Sequence, residues 1–203
     1  MILMRFLSHN YNETSMTPLE LEIAYHLNEM EYDPEVFEYL LWVDADTEVR
    51  PDALSHLVSH MAKDIQIAGL CGETLLRNES ESVTTMVQPY EYFISHHLAK
   101  SFESLFNTVT CLPGCFCMYR IHSPQEHKAV LCSSAVINSY GDQDTSTLHL
   151  KNLLTLGEDR YLTTLMLKNF PEMKLKFTST AKALTTAPNS WRVLLSQRRR
   201  CKM

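Results

Sequence analysis

The stretch "FEYLLWVDAD" constrains the fold more than any other. Aromatic and β-branched residues crowd into a run too short for a helix, and it ends abruptly on Asp44. Such a run reads as a buried strand. It is followed by "RPDALSHLVSHMAKD", where Ala53, Leu54, Leu57, Val58 and Met61 recur at helical spacing behind Pro51 and Asp52. The pattern then repeats. "IQIAGLCGE" reads as a strand, and residues 83–106 as a long aromatic-rich helical segment that Pro89 either starts or kinks. "TCLPGCFCMYR" reads as strand, bend, strand; "EDRYLTTLMLKNF" as a helix; "KLKFTSTAKAL" as a strand; and "NSWRVLLSQRRR" as a closing helix capped by Asn189 or Ser190. Strands alternating with helices predict the α/β class.

Two segments fall outside the alternation. Residues 1–17 are polar and turn-like and are expected to be flexible, with order beginning at Thr17 and Pro18. The helix expected there places Leu19, Ile23 and Leu27 on one face, with Leu21 off it. Residues 122–147 are expected to form a surface loop or insertion.

Composition removes several function classes. A net charge of −6 excludes a general nucleic-acid footprint. The exception is a basic end containing Arg192, Arg198, Arg199, Arg200 and Lys202, which suits a small anionic ligand. Cys71, Cys111, Cys115 and Cys117 lie in apolar runs, where free thiols behave as small hydrophobes rather than as a disulfide framework. No run approaches the ~18 apolar residues of a membrane span, and the apolar run of the opening, which contains Arg5, is too short for a signal peptide. By itself the chain reads as soluble and cytosol-facing.

Three motifs can carry chemistry. Asp44 and Asp46 are two apart at a strand end, so on a pleated strand both carboxylates share a face. Two hard oxygens there suit Mg²⁺ or Mn²⁺ held jointly with phosphates, although Asp also simply ends strands. Glu158, Asp159 and Arg160 open a helix. Acids in a first turn follow from the helix dipole, yet a carboxylate at that point in a cleft can act as general base. Gln197 and Arg200 are three apart on the last helix, where an amide and a guanidinium could hold a diphosphate beside Arg198. Cys111, Cys115 and Cys117 lack paired zinc-ligand spacing. They read as a packed wall beside a pocket, where Pro113 makes the bend and Gly114 allows close backbone approach.

The strings "VDADTEV", "GLCGET", "EYFISHHLAKSFES", "VTCLPGCFCMYR", "KNLLTLGEDRYLTTLMLK" and "VLLSQRRR", in that order, resemble the catalytic core of chitin synthases from Pro18 to Arg200. The resemblance implies an incomplete GT-A type, Rossmann-like core over 18–203, with a mixed sheet flanked by helices. It implies transfer of N-acetylglucosamine from UDP-GlcNAc to a growing β-1,4-linked chitin chain with inversion. Asp46, helped by Asp44, would hold Mg²⁺ or Mn²⁺, and Asp159 would be the base. Glu158, Arg160, Gln197, Arg198 and Arg200 would line the donor and acceptor sites together with Pro113 and Gly114, and the "EYFISHHLAK" helix would face the membrane. The resemblance further implies a plasma-membrane enzyme whose catalytic domain faces the cytoplasm, and it allows a homo-oligomer of the full-length form. An alternative reading keeps the chemistry and changes the polymer, to that of a cellulose or hyaluronan synthase relative; the strings "CLPGCFCMYR" and "EYFISHHLAK" argue against it.

The pattern departs from the family at three places. Cys201 stands where the family has a Trp that stacks on the acceptor sugar. The family's earlier uridine-binding strands, with a further Asp, and its membrane helices have no counterpart in these residues. The chain alone is therefore expected to be inactive, as a segment of a longer synthase or as a remnant or binding subunit.

Overall fold

The apolar run becomes strand β1 (Tyr39–Val43) in a computed structural model, which describes residues 2–12, 16–125, 128–141, 147–148, 154 and 156–201. The other strands are β2 (Glu48–Val49), β3 (Ile67–Leu76), β4 (Phe116–Arg120) and β5 (Lys174–Thr185). They form one sheet in the order β1-β4-β3-β5-β2, in which only the β3–β5 pairing is parallel. The sheet is therefore mixed, as expected.

Helix α1 (Ile2–Asn12) occupies residues expected to be flexible. Met4, Phe6 and Leu7 are buried in the main core. Met4 and Leu7 are one turn apart, while Arg5 stays exposed. The polar letters after them conceal that stripe in the sequence. Residues 13–15 lie outside the described ones.

Helix α2 (Pro18–Glu29) opens on a capping box. The Thr17 N–H donates to Glu20 Oε2 at 2.7 Å, and the Glu20 N–H donates to Thr17 Oγ1 at 3.4 Å. Ile23 and Leu27 pack on the core as expected. Leu19 does not: it is exposed, because the box buries Glu20 instead.

Helix α3 (Ala53–Lys63) packs on the opposite face of the sheet, burying Ala53, Leu57 and Met61 and leaving Leu54 and Val58 at the surface. Segment 83–106 is helical throughout. It runs as α4 (Val83–Tyr92), a π-helical stretch over Phe93–Leu98, and α5 (Ala99–Leu105). Pro89 sits inside α4 rather than starting it, and the wider π register begins four residues later.

The expected loop over 122–147 contains α6 (Ser134–Gly141), with Val136 and Ile137 buried beside Leu131 and Cys132. Part of it is therefore core. Residues 126, 127 and 142–146 lie outside the described ones. Helices α7 (Glu158–Asn169) and α8 (Trp191–Cys201) complete the order. Among the described residues no helix is long and apolar enough to cross a membrane.

Candidate active site

β1 stops at Val43 because its next residues turn. The Asp44 N–H still reaches the Cys115 carbonyl at 3.4 Å, and the Thr47 N–H donates to the Asp44 carbonyl at 3.0 Å, closing the turn Asp44–Thr47. The two carboxylates are thus gathered by a turn and not, as the spacing suggested, by the pleat of a strand. Asp44 remains at the surface. Its carboxyl is nevertheless held above the ordinary carboxylate range, first by partial burial, then by the charges of Asp46 and Asp159. Residues 115 positions apart in the chain have come within electrostatic reach.

A carboxylate whose pKa is raised by folding disfavours the folded state once ionised, so its cost appears as pH rises through the carboxylate range and vanishes below it. Asp44→Asn is therefore expected to raise the Tm of the metal-free chain at neutral pH by roughly 1–2 °C. The gain should disappear at acid pH. Differential scanning calorimetry at both pH values checks this; a lower Tm at neutral pH contradicts it.

Asp159 sits in the first turn of α7 and is half-buried, while Glu158 and Arg160 flank it at the surface. One carboxylate oxygen, Oδ1, accepts from the Arg160 N–H at 2.7 Å; Oδ2 accepts from the Cys111 thiol at 3.6 Å. Thr163 Oγ1 donates to the Asp159 carbonyl at 2.7 Å and accepts the Leu112 N–H at 3.0 Å. The base candidate is tied to the cysteine stretch at two points.

That stretch is held on every side. Lys100 Nζ donates to the Cys111 carbonyl at 3.2 Å, and Cys115 Sγ and Thr74 Oγ1 share a hydrogen bond at 3.4 Å. Because Leu112 and Cys111 bond to helices, and Pro113 has no N–H, residues 111–113 cannot join the sheet. Only the second half of the expected strand–bend–strand is a strand. Burial and the nearby Asp159 push the Cys111 thiol up to about 12. Cys71, Cys111, Cys115, Cys117 and Cys132 are all free thiols. Among the described residues no group of three or more His, Cys, Asp or Glu side chains could hold a metal ion unaided. The stretch is a strut joining the Asp44 turn to the Asp159 helix. Pro113 is buried in it, and a side chain at Gly114 would meet open space, so no packing of this chain demands glycine there.

The connection from β5 into α8 is clamped by α4 and by the segment that leads into it from β3. Asn78 pairs with both backbone groups of Ala187: its Nδ2 donates to the carbonyl at 2.9 Å, and its Oδ1 accepts the N–H at 2.8 Å. Gln88 Nε2 donates to the Pro188 carbonyl at 2.8 Å, and Ser82 Oγ to that of Asn189 at 2.9 Å. Between this connection, α8 and the Asp46 turn lies a cleft of about 670 Å³, lined among others by Asp46, Asn78, Glu81, Asn189, Arg192 and Gln197. Asp46 and Gln197 therefore share a cleft. Arg198 turns away and ion-pairs with Glu91 of α4 at 2.7 Å. The Arg200 side chain lies outside the described residues.

Sequence reasoning missed Glu73. It is 7% exposed, with Oε1 2.6 Å from His97 Nδ1 and Oε2 3.6 Å from Lys182 Nζ. The signal was available, since a carboxylate inside the apolar run of β3 needs partners. His97 and His96 diverge, as adjacent helical residues must. His96 stacks on Tyr92, and burial with the charges of Lys100 and Arg198 brings it down to about 4.

A family model described as chitin synthase matches residues 1–202. The chain belongs to the chitin synthase family. Its five-stranded mixed sheet is that of a GT-A-like glycosyltransferase domain. Relatives include the chitin synthase csmB of Aspergillus niger, 58% identical over 98% of this chain and 11% of that protein. Chitin synthase 4 of Cryptococcus neoformans is 57% identical over 98% of this chain and 16% of that protein. Chitin synthase 7 of Gibberella zeae is 58% identical over 98% and 11%. The chain thus spans between a tenth and a sixth of the relatives it matches. The likeness begins before Pro18 and takes in α1.

Proposed function

We propose that this chain supplies the catalytic face of a chitin synthase, transferring N-acetylglucosamine from UDP-GlcNAc to the 4-hydroxyl at the end of a growing β-1,4-linked chain. The observation that carries the reading is that the 111–115 stretch joins the Asp44 turn to Asp159, while Asp46 of the same turn lines a cleft with Gln197. Asp159, with one oxygen fixed by Arg160 and the other by Cys111, takes the proton from the acceptor hydroxyl. As that oxygen bonds to the anomeric carbon, the bond to the diphosphate breaks and UDP leaves with the electron pair. One displacement inverts the configuration, and no covalent sugar intermediate forms, unlike retention through a carboxylate nucleophile.

The repulsion felt by Asp44 fits a divalent cation, since two carboxylates completed by phosphate oxygens are an ordinary Mg²⁺ donor set. Asp46 and Asp44 would hold it. Bound Mg²⁺ or Mn²⁺ would supply charge neutralisation at the departing diphosphate. Gln197 and Arg200 would brace donor and acceptor, and Pro113 and Gly114 would border the acceptor path. The family points to a plasma-membrane setting with this domain on the cytoplasmic side.

The test is a chimera in which this chain replaces the matching 200 residues of the Aspergillus niger relative. Labelled UDP-GlcNAc should yield polymer that chitinase digests. Polymer resistant to chitinase, or transfer of a different sugar, overturns the reading. Cys201, at the position of the family's Trp, favours a second one: a chain that binds donor but barely transfers. UDP binding with no polymer marks that outcome.

A further inference from the structure

We propose that Arg192 is the anion-binding residue of the cleft and holds a phosphate of a nucleoside diphosphate; this deepens the reading of the cleft as a nucleotide-sugar site. Arg192 is the one cation among the described residues that line the cleft, and Asp46 lines it too. It makes no hydrogen bond or ion pair among the described residues, so its five donors are open to a ligand. Two nearby cations are committed elsewhere. Arg198 is held by Glu91. Arg77 is shared between Glu48 at 3.4 Å and Thr186 Oγ1 at 3.3 Å.

The acidic side chains in the cleft do not compete equally. Glu81 is occupied, with Oε2 accepting from Asn78 Nδ2 at 2.7 Å and Oε1 from Asn189 Nδ2 at 3.3 Å, and these bonds hold its carboxyl below the ordinary range. Asp46 belongs to the acidic turn, where a cation shared with phosphate would neutralise it. A diphosphate spanning the cleft therefore meets a cation-binding turn at one end and a forked guanidinium at the other.

Placement supports the assignment. Arg192 is only three residues beyond Asn189, and the connection before it is fastened by Asn78, Ser82 and Gln88. The root of the side chain is thus fixed before any ligand arrives, which lowers the ordering cost of binding. Arg192, Ser196 and Gln197 lie within five positions of one helix and line the same cleft. One face of α8 carries both the charge and the amide.

The experiment is calorimetric titration of the 203-residue chain with UDP and, separately, with inorganic pyrophosphate, each with Mn²⁺. Arg192→Gln is expected to weaken both by roughly tenfold or more, the scale of a lost charge-assisted contact. Arg192→Lys should lose less than Arg192→Gln, and Lys63→Gln, an exposed change on α3, should stay within about twofold. Circular dichroism establishes that each variant is folded. Equal binding by wild type and Arg192→Gln overturns the proposal, as does wild type that binds neither probe. Pyrophosphate binding that depends on Arg192 upholds the anion site even where UDP binds no tighter, because the contacts to the base lie outside these residues.

Discussion

Asp159→Asn, placed in the chimera, is expected to lower transfer by about 10²–10⁴-fold while leaving UDP affinity within about twofold. The split follows from the geometry. Asp159 contacts the cysteine stretch and its own helix, whereas the cleft shared by Asp46 and Gln197 is lined by other residues. On the proposed mechanism, removing the charge takes away the proton acceptor, and chemistry suffers more than donor binding. The amide oxygen can still accept the Arg160 N–H, so the first turn of α7 should hold. The Asp159 carbonyl keeps its bond from Thr163 whatever the side chain. Single-turnover transfer and UDP titration on the same preparation separate the two effects. Transfer within fivefold of wild type removes Asp159 from the base role. A parallel loss of UDP binding instead makes it part of the donor site.

The sheet and the helices behind it were legible because their apolar residues either form a short unbroken run or repeat near period 2 or 3.6 over enough positions to stand out. β1, α3 and β5 are of this kind. Helix α1 was not legible, since three buried residues followed by a polar tail look like any unstructured start. Helix α6 was hidden in the same way, with only Val136 and Ile137 buried in it.

At the site, the pairing of Asp44 with Asp46 was readable from spacing, but its cause was not. Hydrogen bonds of backbone groups, which no side-chain letter reports, turn the chain after Val43. Arg198 and Arg192 are indistinguishable as letters in a basic run. Only the docking of α8 on α4 gives Arg198 to Glu91 and leaves Arg192 in the cleft. The cysteine stretch was recognisable as a packed segment. Its work as a strut between two acidic elements depends on Lys100, Thr74 and Thr163, each ordinary in its own helix or strand.

Arg120→Met is expected to be the most destabilising single change outside the site, at about 3 kcal/mol, or a fall in Tm of roughly 6–12 °C. Arg120 ends β4 and is 1% exposed, and no carboxylate pairs with it among the described residues. Its guanidinium serves carbonyls instead. Nη2 donates to Met61 at 2.6 Å and to Asp64 at 3.4 Å, and Nε donates to Ile67 at 2.8 Å. Met61 and Asp64 lie at the end of α3, where helix carbonyls lack intrahelical partners, and Ile67 begins β3. The Tyr39 ring lies 5.1 Å from the guanidinium carbon.

Two effects oppose each other in this substitution. Burying an unpaired charge is costly, and replacing buried ion pairs by apolar groups is often neutral because both partners leave together. Here the partners are backbone and cannot leave. Methionine would fill much of the volume and strand three carbonyls, so the loss should win. Urea unfolding measures it directly: a change below about 1 kcal/mol would mean that water reaches these carbonyls once the arginine is gone. The same titration on Tyr39→Phe, which removes only the phenolic oxygen 3.5 Å from Nη1 and keeps the ring, should cost under about 1 kcal/mol. A larger loss there would shift the weight of this junction from the carbonyls to the tyrosine.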